Sequence, residues 1–478
     1  MIGRRGILAG GLAALAGPVL GQTRPKPRPD RSRSGVDAAC AEYIRAAKLG
    51  GAAGYAVADL ASGRVLGGAQ ADAPMPPASV TKALTALFAL ERLGAGKQFA
   101  TRVLATGPVR GGVVQGDFIL AGGGDPSLDT DRLGDMAAAL ARAGVRGITG
   151  RFLVYGGALP YIERIAADQP DFVGYNPAIS GMILNYNRAN FVWAAGGRTL
   201  AVNAEGARFV PSVRSVQVAL AQREAPLFVY EGRAPVEAWS VAAPALRKDG
   251  SRWLPVRAPV VYAGDVFGAL CAAQGIKLPP AREIATLPAG AHVLAEDRSE
   301  GLEALIKGML KFSTNLTAEA LGLAASGAVD IAESGAAMTA WARARFGISA
   351  QFGDHSGLGP MSSSTPADMV RVMLGAKGSA LIGLMREKGV DGEGREAQGA
   401  ALRVFAKSGT LNFASNLAGY ITAPSGRALA FAIFAADSPR RAALPLDQRE
   451  DPEGGPAWNK RARAMQRQMI AKWGKAYL

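Results

Sequence analysis

The chain has 478 residues, 49% hydrophobic and 19% charged, which is too long for one ordinary core and too apolar for a disordered polymer. Lys plus Arg number 54 against 39 Asp plus Glu, a net charge of +15, yet residues 1–33 and 458–478 contribute +6 each and leave only +3 for the rest. Basic tails suit an anionic membrane surface or cell-wall polymer, and neither a charged groove nor a nucleic-acid motif points to DNA or RNA.

The first 21 residues read as an export signal, to be removed near Gly21. Arg4 and Arg5 precede the uncharged run 6-GILAGGLAALAGPVL-20, too short to span a bilayer comfortably. The arginine pair fits twin-arginine export and the ordinary secretory route alike, so a periplasmic location is expected. Residues 22–35 form a basic, proline-rich linker, expected to be extended. Residues 36–48 are expected to be helical, and 54–68 to form two strands around the turn Ala61-Ser62-Gly63. A helix then runs from Ser79 to a stop at Gly94.

The stretch 97–295 is rich in Gly, Val, Ala and Pro and reads as one or two inserted, mostly β modules. Its strand-like pieces include 113–122 and 208–220, with one clear helix at 131–144. After it, 302-LEALIKGML-310 carries a helical apolar stripe that ends just before Ser313 and Asn315. Three strands follow at 403–410, 416–423 and 427–437, the last two joined by Pro424-Ser425-Gly426. A helix around 457–473 closes the chain. Its Trp458, Ala462, Met465, Met469 and Trp473 recur at helical spacing and suit docking on a sheet, with a membrane-lying face as the other reading.

The chemistry-bearing pair is Ser79 and Lys82. Residues three apart share one helical face, and the positive end of a helix dipole favours a developing oxyanion at Ser79. Val80, Ala83, Leu84 and Leu87 surround Lys82, so its stem is expected to be buried. Burial lowers a lysine's pKa, and one tuned to roughly 7–8 takes a serine's proton near neutral pH. With only His292 and His355 in the chain, a Ser-His-Asp triad and a His-rich zinc site are both disfavoured. The two cysteines, Cys40 and Cys271, are read as buried thiols, a bridge between them being the alternative in an exported chain.

Ser79-Val80-Thr81-Lys82, then Ser313-Thr314-Asn315, then Lys407-Ser408-Gly409-Thr410 resembles the motif order of penicillin-binding proteins and serine β-lactamases. The 234-residue gap between Ser79 and Ser313 is similar to the D-alanyl-D-alanine carboxypeptidase/endopeptidase family, the class C low-molecular-mass penicillin-binding proteins (peptidase family S13). Local matches at 122-GGGDPSL-128, 354-DHSGLG-359 and 407-KSGTLNFASNLAGYI-421 agree. The resemblance covers most of 36–437 and is thin in 190–250. It implies an α+β fold: a β-lactamase/transpeptidase-like domain, 36–96 plus 296–478, with an antiparallel sheet flanked by helices and interrupted by the insert. It further implies Ser79 as acylated nucleophile, Lys82 as general base, Ser313 as proton relay and Asn315 as holder of the substrate amide. Lys407 would supply positive potential and keep Lys82 unprotonated, and with Ser408 and Thr410 would grip a carboxylate. The amides of Ser79 and Thr410 would form the oxyanion hole, and Gly409 would make room for ligand. Partners would be peptidoglycan stem peptides, with β-lactams as inhibitors; no cofactor or metal is implied.

Thr314 stands where the family often has aspartate, and His355 where glycine is common; a lone histidine there is more naturally structural or surface-lying. Asp125 is expected to organise a turn. An acidic residue of the insert, Asp171 or Asp168, would recognise the diamino acid side chain of the peptide. A serine β-lactamase or esterase of the same fold is disfavoured by the long gap and by the lack of a Glu-x-x-x-Asn box. A non-catalytic cell-wall binding protein is disfavoured because all the key side chains are present.

Overall fold

The computed structural model describes residues 31–232, 236–388 and 402–478. The expected export signal, 1–21, and the proline-bearing part of the linker lie outside them. Helix α1, Arg31–Ala47, starts earlier than expected. Residues 31–35 form its opening turns because the last proline is Pro29, so nothing in them removes a backbone donor.

Five long strands make the central sheet: β1 (Ala52–Asp59), β2 (Val65–Ala69), β3 (Arg403–Leu411), β4 (Ala414–Thr422) and β5 (Ala428–Ala436). They lie in the order β3-β4-β5-β1-β2, with the short strand Glu387–Lys388 outside β3, and every pairing is antiparallel. The sequence-distant strands β1 and β5 meet in register from Ala52 opposite Ala436 to Asp59 opposite Leu429.

Alternation along β5 divides the core in two. Ala430, Ala432 and Phe434 face a layer that includes Leu84, Phe88, Met338 and Met369. That layer is built by α2 (Thr81–Leu93), α3 (Leu302–Phe312), α4 (Asn315–Ser326), α5 (Ile331–Phe346) and α6 (Pro366–Gly375). Leu429, Phe431 and Ile433 face the opposite layer, formed by α1 and the closing helix α7 (Gly455–Tyr477). Trp458, Ala462, Met465, Met469 and Trp473 are all buried there, so the stripe docks on the sheet. Each such aromatic contributes roughly 2–3 kcal/mol by leaving water. Among the described residues, no helix is long and apolar enough to cross a membrane.

Between α2 and α3 the chain builds a second unit. Its five-stranded sheet runs Arg282–Ile284, Phe152–Tyr155, Phe118–Ala121, Ala100–Ala105, His292–Arg298. Three three-stranded sheets accompany it among the described residues. The expected helix appears as Thr130–Arg142, capped by Asp129, whose carboxylate accepts from Arg132 N. A second helix, Pro259–Ala273, escaped the sequence reading because it is apolar nearly all round. Val260, Tyr262, Val266, Phe267 and Leu270 are all buried, so no polar stripe marks the period. The strand expected from residue 208 begins only at Val216. Upstream of it, the backbone N–H groups of Ala207, Arg208 and Phe209 donate to the Asp131 carboxylate instead of to a ladder. An irregular arm, residues 159–186, leaves this unit and packs Leu159, Ile165, Ile179 and Ile183 against Leu316, Ala320 and Leu323 of α4. Cys40 and Cys271 are buried in different cores as free thiols, which settles the open choice against a bridge.

Candidate active site

Ser79 sits in a short 3-10 turn, Ala78–Val80, that leads into α2 instead of opening it directly. Ala78 before it is left-handed at φ 49, which costs an alanine about 1–2 kcal/mol. Close neighbours hold this turn. A Cβ on Gly357 would lie 1.9 Å from the Ala78 carbonyl oxygen, and one on Gly409 would lie 2.6 Å from the Pro77 carbonyl oxygen. Gly409 therefore admits the protein's own serine-bearing turn, where the sequence reading reserved the space for ligand. Asn416 clasps the two parts: its Nδ2 donates to Pro76 O at 2.7 Å and its Oδ1 accepts from Ala435 N at 3.2 Å.

Lys82 lies one helical turn deeper and is fully buried. Its Nζ donates to Ser79 Oγ at 2.9 Å, Asn315 Oδ1 at 2.8 Å and the Ser356 carbonyl at 2.7 Å. Burial brings its pKa down to about 7, with the buried carboxylates of Glu319 and Asp354 pulling the other way. Desolvation, and not repulsion from Lys407, is thus what leaves the amine ready to lose its proton.

The other two segments arrive from α3–α4 and from β3. Ser313 ends α3 in the left-handed conformation, φ 60 and ψ 36, and Asn315 starts α4 two residues later. That sharp reversal puts both side chains at the same groove. Thr314 stays half-exposed and caps nothing with its side chain. Lys407, 2% exposed, donates from Nζ to Ser313 Oγ at 2.9 Å and to the Ser408 carbonyl at 2.7 Å. Its pKa lies well below the ordinary lysine value, through burial first and then the nearby Lys82 and Lys388. Alternation along β3 turns Lys407 and Gly409 inward, while Thr410 is exposed to the groove. Ser408 does not line the groove; its carbonyl accepts from Lys407 instead.

The groove holds about 410 Å³ and is lined by Ser79, Ser313, Asn315 and Thr410 on one side. Tyr175 of the irregular arm borders it, and its carbonyl accepts from Asn315 Nδ2 at 3.0 Å. The far wall, carrying Arg441, Arg449, Glu450, Asp451 and Arg463, comes from the chain after β5. Nothing in the sequence reading pointed to these residues, because no spacing relates them to the three motifs. Neither proposed acid of the insert lines the groove. Asp171 pairs with Arg164 at 2.6 Å, while Asp168 pairs with Arg449 at 3.2 Å and Arg441 at 3.9 Å. Asp125 organises a turn as expected, accepting from Ser127 N and Oγ and pairing with Arg132 at 2.8 Å. His355 is structural: it is fully buried, bonded through Nε2 to Ser334 Oγ at 2.7 Å, and burial pushes its pKa down to about 3.

With this geometry in view, the likenesses to known proteins are informative. Residues 36–451 match the model of the D-Ala-D-Ala carboxypeptidase 3 (S13) family. A D-alanyl-D-alanine carboxypeptidase from Actinomadura sp. (strain R39) is 30% identical over 80% of this chain and 77% of its own length. Carboxypeptidase Rv3627c of Mycobacterium tuberculosis is 26% identical over 84% of this chain and 80% of its own. Among solved structures, penicillin binding protein 4 of Haemophilus influenzae has a TM-score of 0.70 at 21% identity, covering 89% of this chain and 98% of that one; this likeness speaks for the α+β fold alone. The chain belongs to the S13 family of serine-type D-Ala-D-Ala carboxypeptidases.

Proposed function

We propose that this protein hydrolyses the D-Ala–D-Xaa bond of peptidoglycan stem peptides through an acyl-enzyme on Ser79, and that penicillin acylates the same oxygen. The observation that carries the reading is the triple hydrogen bonding of the buried Lys82 amine to Ser79, Asn315 and the Ser356 carbonyl. As a neutral amine, Lys82 takes the Ser79 proton while Oγ attacks the scissile carbonyl carbon. The oxyanion accepts from the backbone N–H groups of Ser79 and Thr410. The C–N bond breaks, and the leaving amine receives a proton by way of Ser313, whose hydroxyl stands next to the Lys407 ammonium. Water then hydrolyses the ester and frees Ser79. A free D-alanine as leaving group makes the reaction a carboxypeptidase step; a cross-linked one makes it an endopeptidase step. Asn315 steadies the substrate amide, and Lys407 with Thr410 attracts its carboxylate. Export to the periplasm, by the Sec or Tat route, belongs to the same reading and rests on residues 1–21. Peripheral contact of the basic termini with a membrane is part of it as well.

Intact mass after incubation with penicillin, followed by digestion, tests the chemistry. One adduct on Ser79 that disappears in Ser79→Ala is expected; no adduct, or one unchanged by that substitution, defeats the reading and favours a non-catalytic wall-binding protein. Rapid release of hydrolysed penicillin would turn the assignment to a β-lactamase.

A further inference from the structure

We propose that Glu319 is a positioning residue for Lys82, acting through the turn 354–359 and the carbonyl of Ser356. This rests on the proposed role of Lys82 as base. Glu319 stands on α4 four residues after Asn315, so both side chains lie on one helical face beneath Lys82. It is fully buried, and it never touches Lys82 or the groove in any hydrogen bond. Instead, its Oε1 accepts from Ser356 N at 2.8 Å, and both its oxygens accept from His355 N at 3.1–3.2 Å. Every one of these backbone partners is a donor and holds the carboxylate form, against burial and the neighbouring Asp354, which push the Glu319 pKa up.

The same peptide whose N–H Glu319 holds is followed by the Ser356 carbonyl, the third acceptor of Lys82 Nζ. The turn is fixed from the other sides as well. Asp354 accepts from Gly357 N at 2.8 Å and from Gly359 N at 2.7 Å, and Thr85 donates to the His355 carbonyl at 2.7 Å. Gly322 on α4 lacks the Cβ that would meet the His355 ring at 2.1 Å. With three directions taken by Ser79, Asn315 and Ser356, the amine has one orientation. If the Ser356 carbonyl drifts, the amine is free to rotate away from Ser79, and proton transfer loses its alignment.

Charge acts against geometry here: the alignment favours proton transfer, while the carboxylate favours the ammonium. The groups facing Lys82 are Glu319 from α4, Asp354 from the turn, and Lys407 from β3; His355 stays neutral. Glu319 and Asp354 favour the ammonium, so removing the charge of Glu319 leaves Lys82 easier to deprotonate.

The test measures acylation by a fluorescent penicillin across pH in the full chain, for the wild type, Glu319→Gln and Glu319→Asp, with thermal melting to confirm folding. In Glu319→Gln the plateau rate is expected to fall about tenfold or more, as misaligned proton transfer does. Its acidic limb is expected to move to lower pH by about half a unit or more, the sign a lost neighbouring carboxylate requires. Glu319→Asp keeps the charge but is one methylene short; its limb is expected near the wild-type position, with a reduced plateau. An unmoved limb in Glu319→Gln, whatever its plateau, overturns the inference, because a merely structural role changes amplitude alone. Should Glu319→Gln not fold, a wild-type plateau in Glu319→Asp overturns it instead. If the wild type does not label, or labels without Ser79, the reading of Lys82 as base fails first, and the two failures are told apart.

Discussion

Two regions of this molecule bury charge, and they use it differently. In the inserted unit, Arg257 is fully buried and Glu237 is 1% exposed. Arg257 donates to the carbonyls of Glu163, Asn176 and Asp171 at 2.6–3.0 Å, while Glu237 accepts the N–H groups of Arg257 and Ala258 at 2.8 and 3.1 Å. Burial pushes the Glu237 pKa up to about 7, a shift as large as many at working active sites. Yet these contacts end on backbone, and their effect is to shape the arm that carries Tyr175. Under α2, the charges of Lys82 and Lys407 end on the hydroxyls of Ser79 and Ser313, at the edge of an open groove. A displaced pKa is therefore weak evidence by itself. What separates chemistry from architecture is whether the buried charge meets a hydroxyl that substrate can reach.

The strongest way to break this contrast is to remove the hydroxyl and its base. Ser79→Ala is expected to abolish penicillin acylation. Lys82→Ala is expected to lower the rate by about three orders of magnitude, within the usual range for a general base, with the melting curve still cooperative. Labelling that survives either change would deny the α2 region its special status. Next in size is Gly409→Ala. Its methyl group would sit 2.6 Å from Pro77 O and lever β3 away from the Ser79 turn. A displacement of that kind is expected to reduce acylation about 10- to 100-fold while the acidic limb stays in place, which a stopped-flow pH series would check.

Arg257→Met probes the other side of the comparison. Removing the guanidinium leaves the carbonyls of Glu163, Asn176 and Asp171 without their donor, which is expected to cost about 1–3 kcal/mol of stability for each one left unsatisfied, read by urea unfolding. The folded fraction should acylate with an unchanged acidic limb; a moved limb would mean that the insert's charges also tune the chemistry. The smallest effects are in pH dependence. Because the Lys82 pKa is lowered to about 7, acylation should be slow where the ammonium persists and rise with pH through about 7. Glu237 titrates without a catalytic readout. Its folded pKa, about 7, lies above the ordinary 4.5, so the stability it lends is complete at low pH and is lost as pH climbs through about 7. Glu237→Gln should flatten that decline in melting temperature and leave the acylation profile alone.

Much of the site was legible because it is short-range or rests on a strongly patterned strand or helix. Ser79 and Lys82 are three residues apart, Ser313 and Asn315 straddle a helix end, and Lys407 to Thr410 lie on an alternating strand. The unread parts were those with no local mark. Glu319 looks like any helix glutamate; only folding brings it under His355 and Ser356, 36 and 37 residues away. Arg441 to Arg463 follow the last strand as an ordinary stretch of mixed charge, and the groove wall they make arises from where the chain after β5 docks. Asp168 and Asp171 looked available because sequence does not show which arginines will neutralise them.

Local pattern sufficed for the elements themselves: the strand-like runs of β3 to β5 with the turn between the last two, the helical stripe of α3, the docking face of α7 and the lysine on an apolar face. Such features depend on neighbours within one or two turns, so they are written in adjacent letters. Folding alone settled which distant groups share a dry space. The pairing of β1 with β5, the approach of Gly409 to Pro77 and the meeting of Lys82 with Ser356 all span more than 250 residues. Their energies depend on the removal of water from charged and polar groups, and that happens only when separate layers close over them.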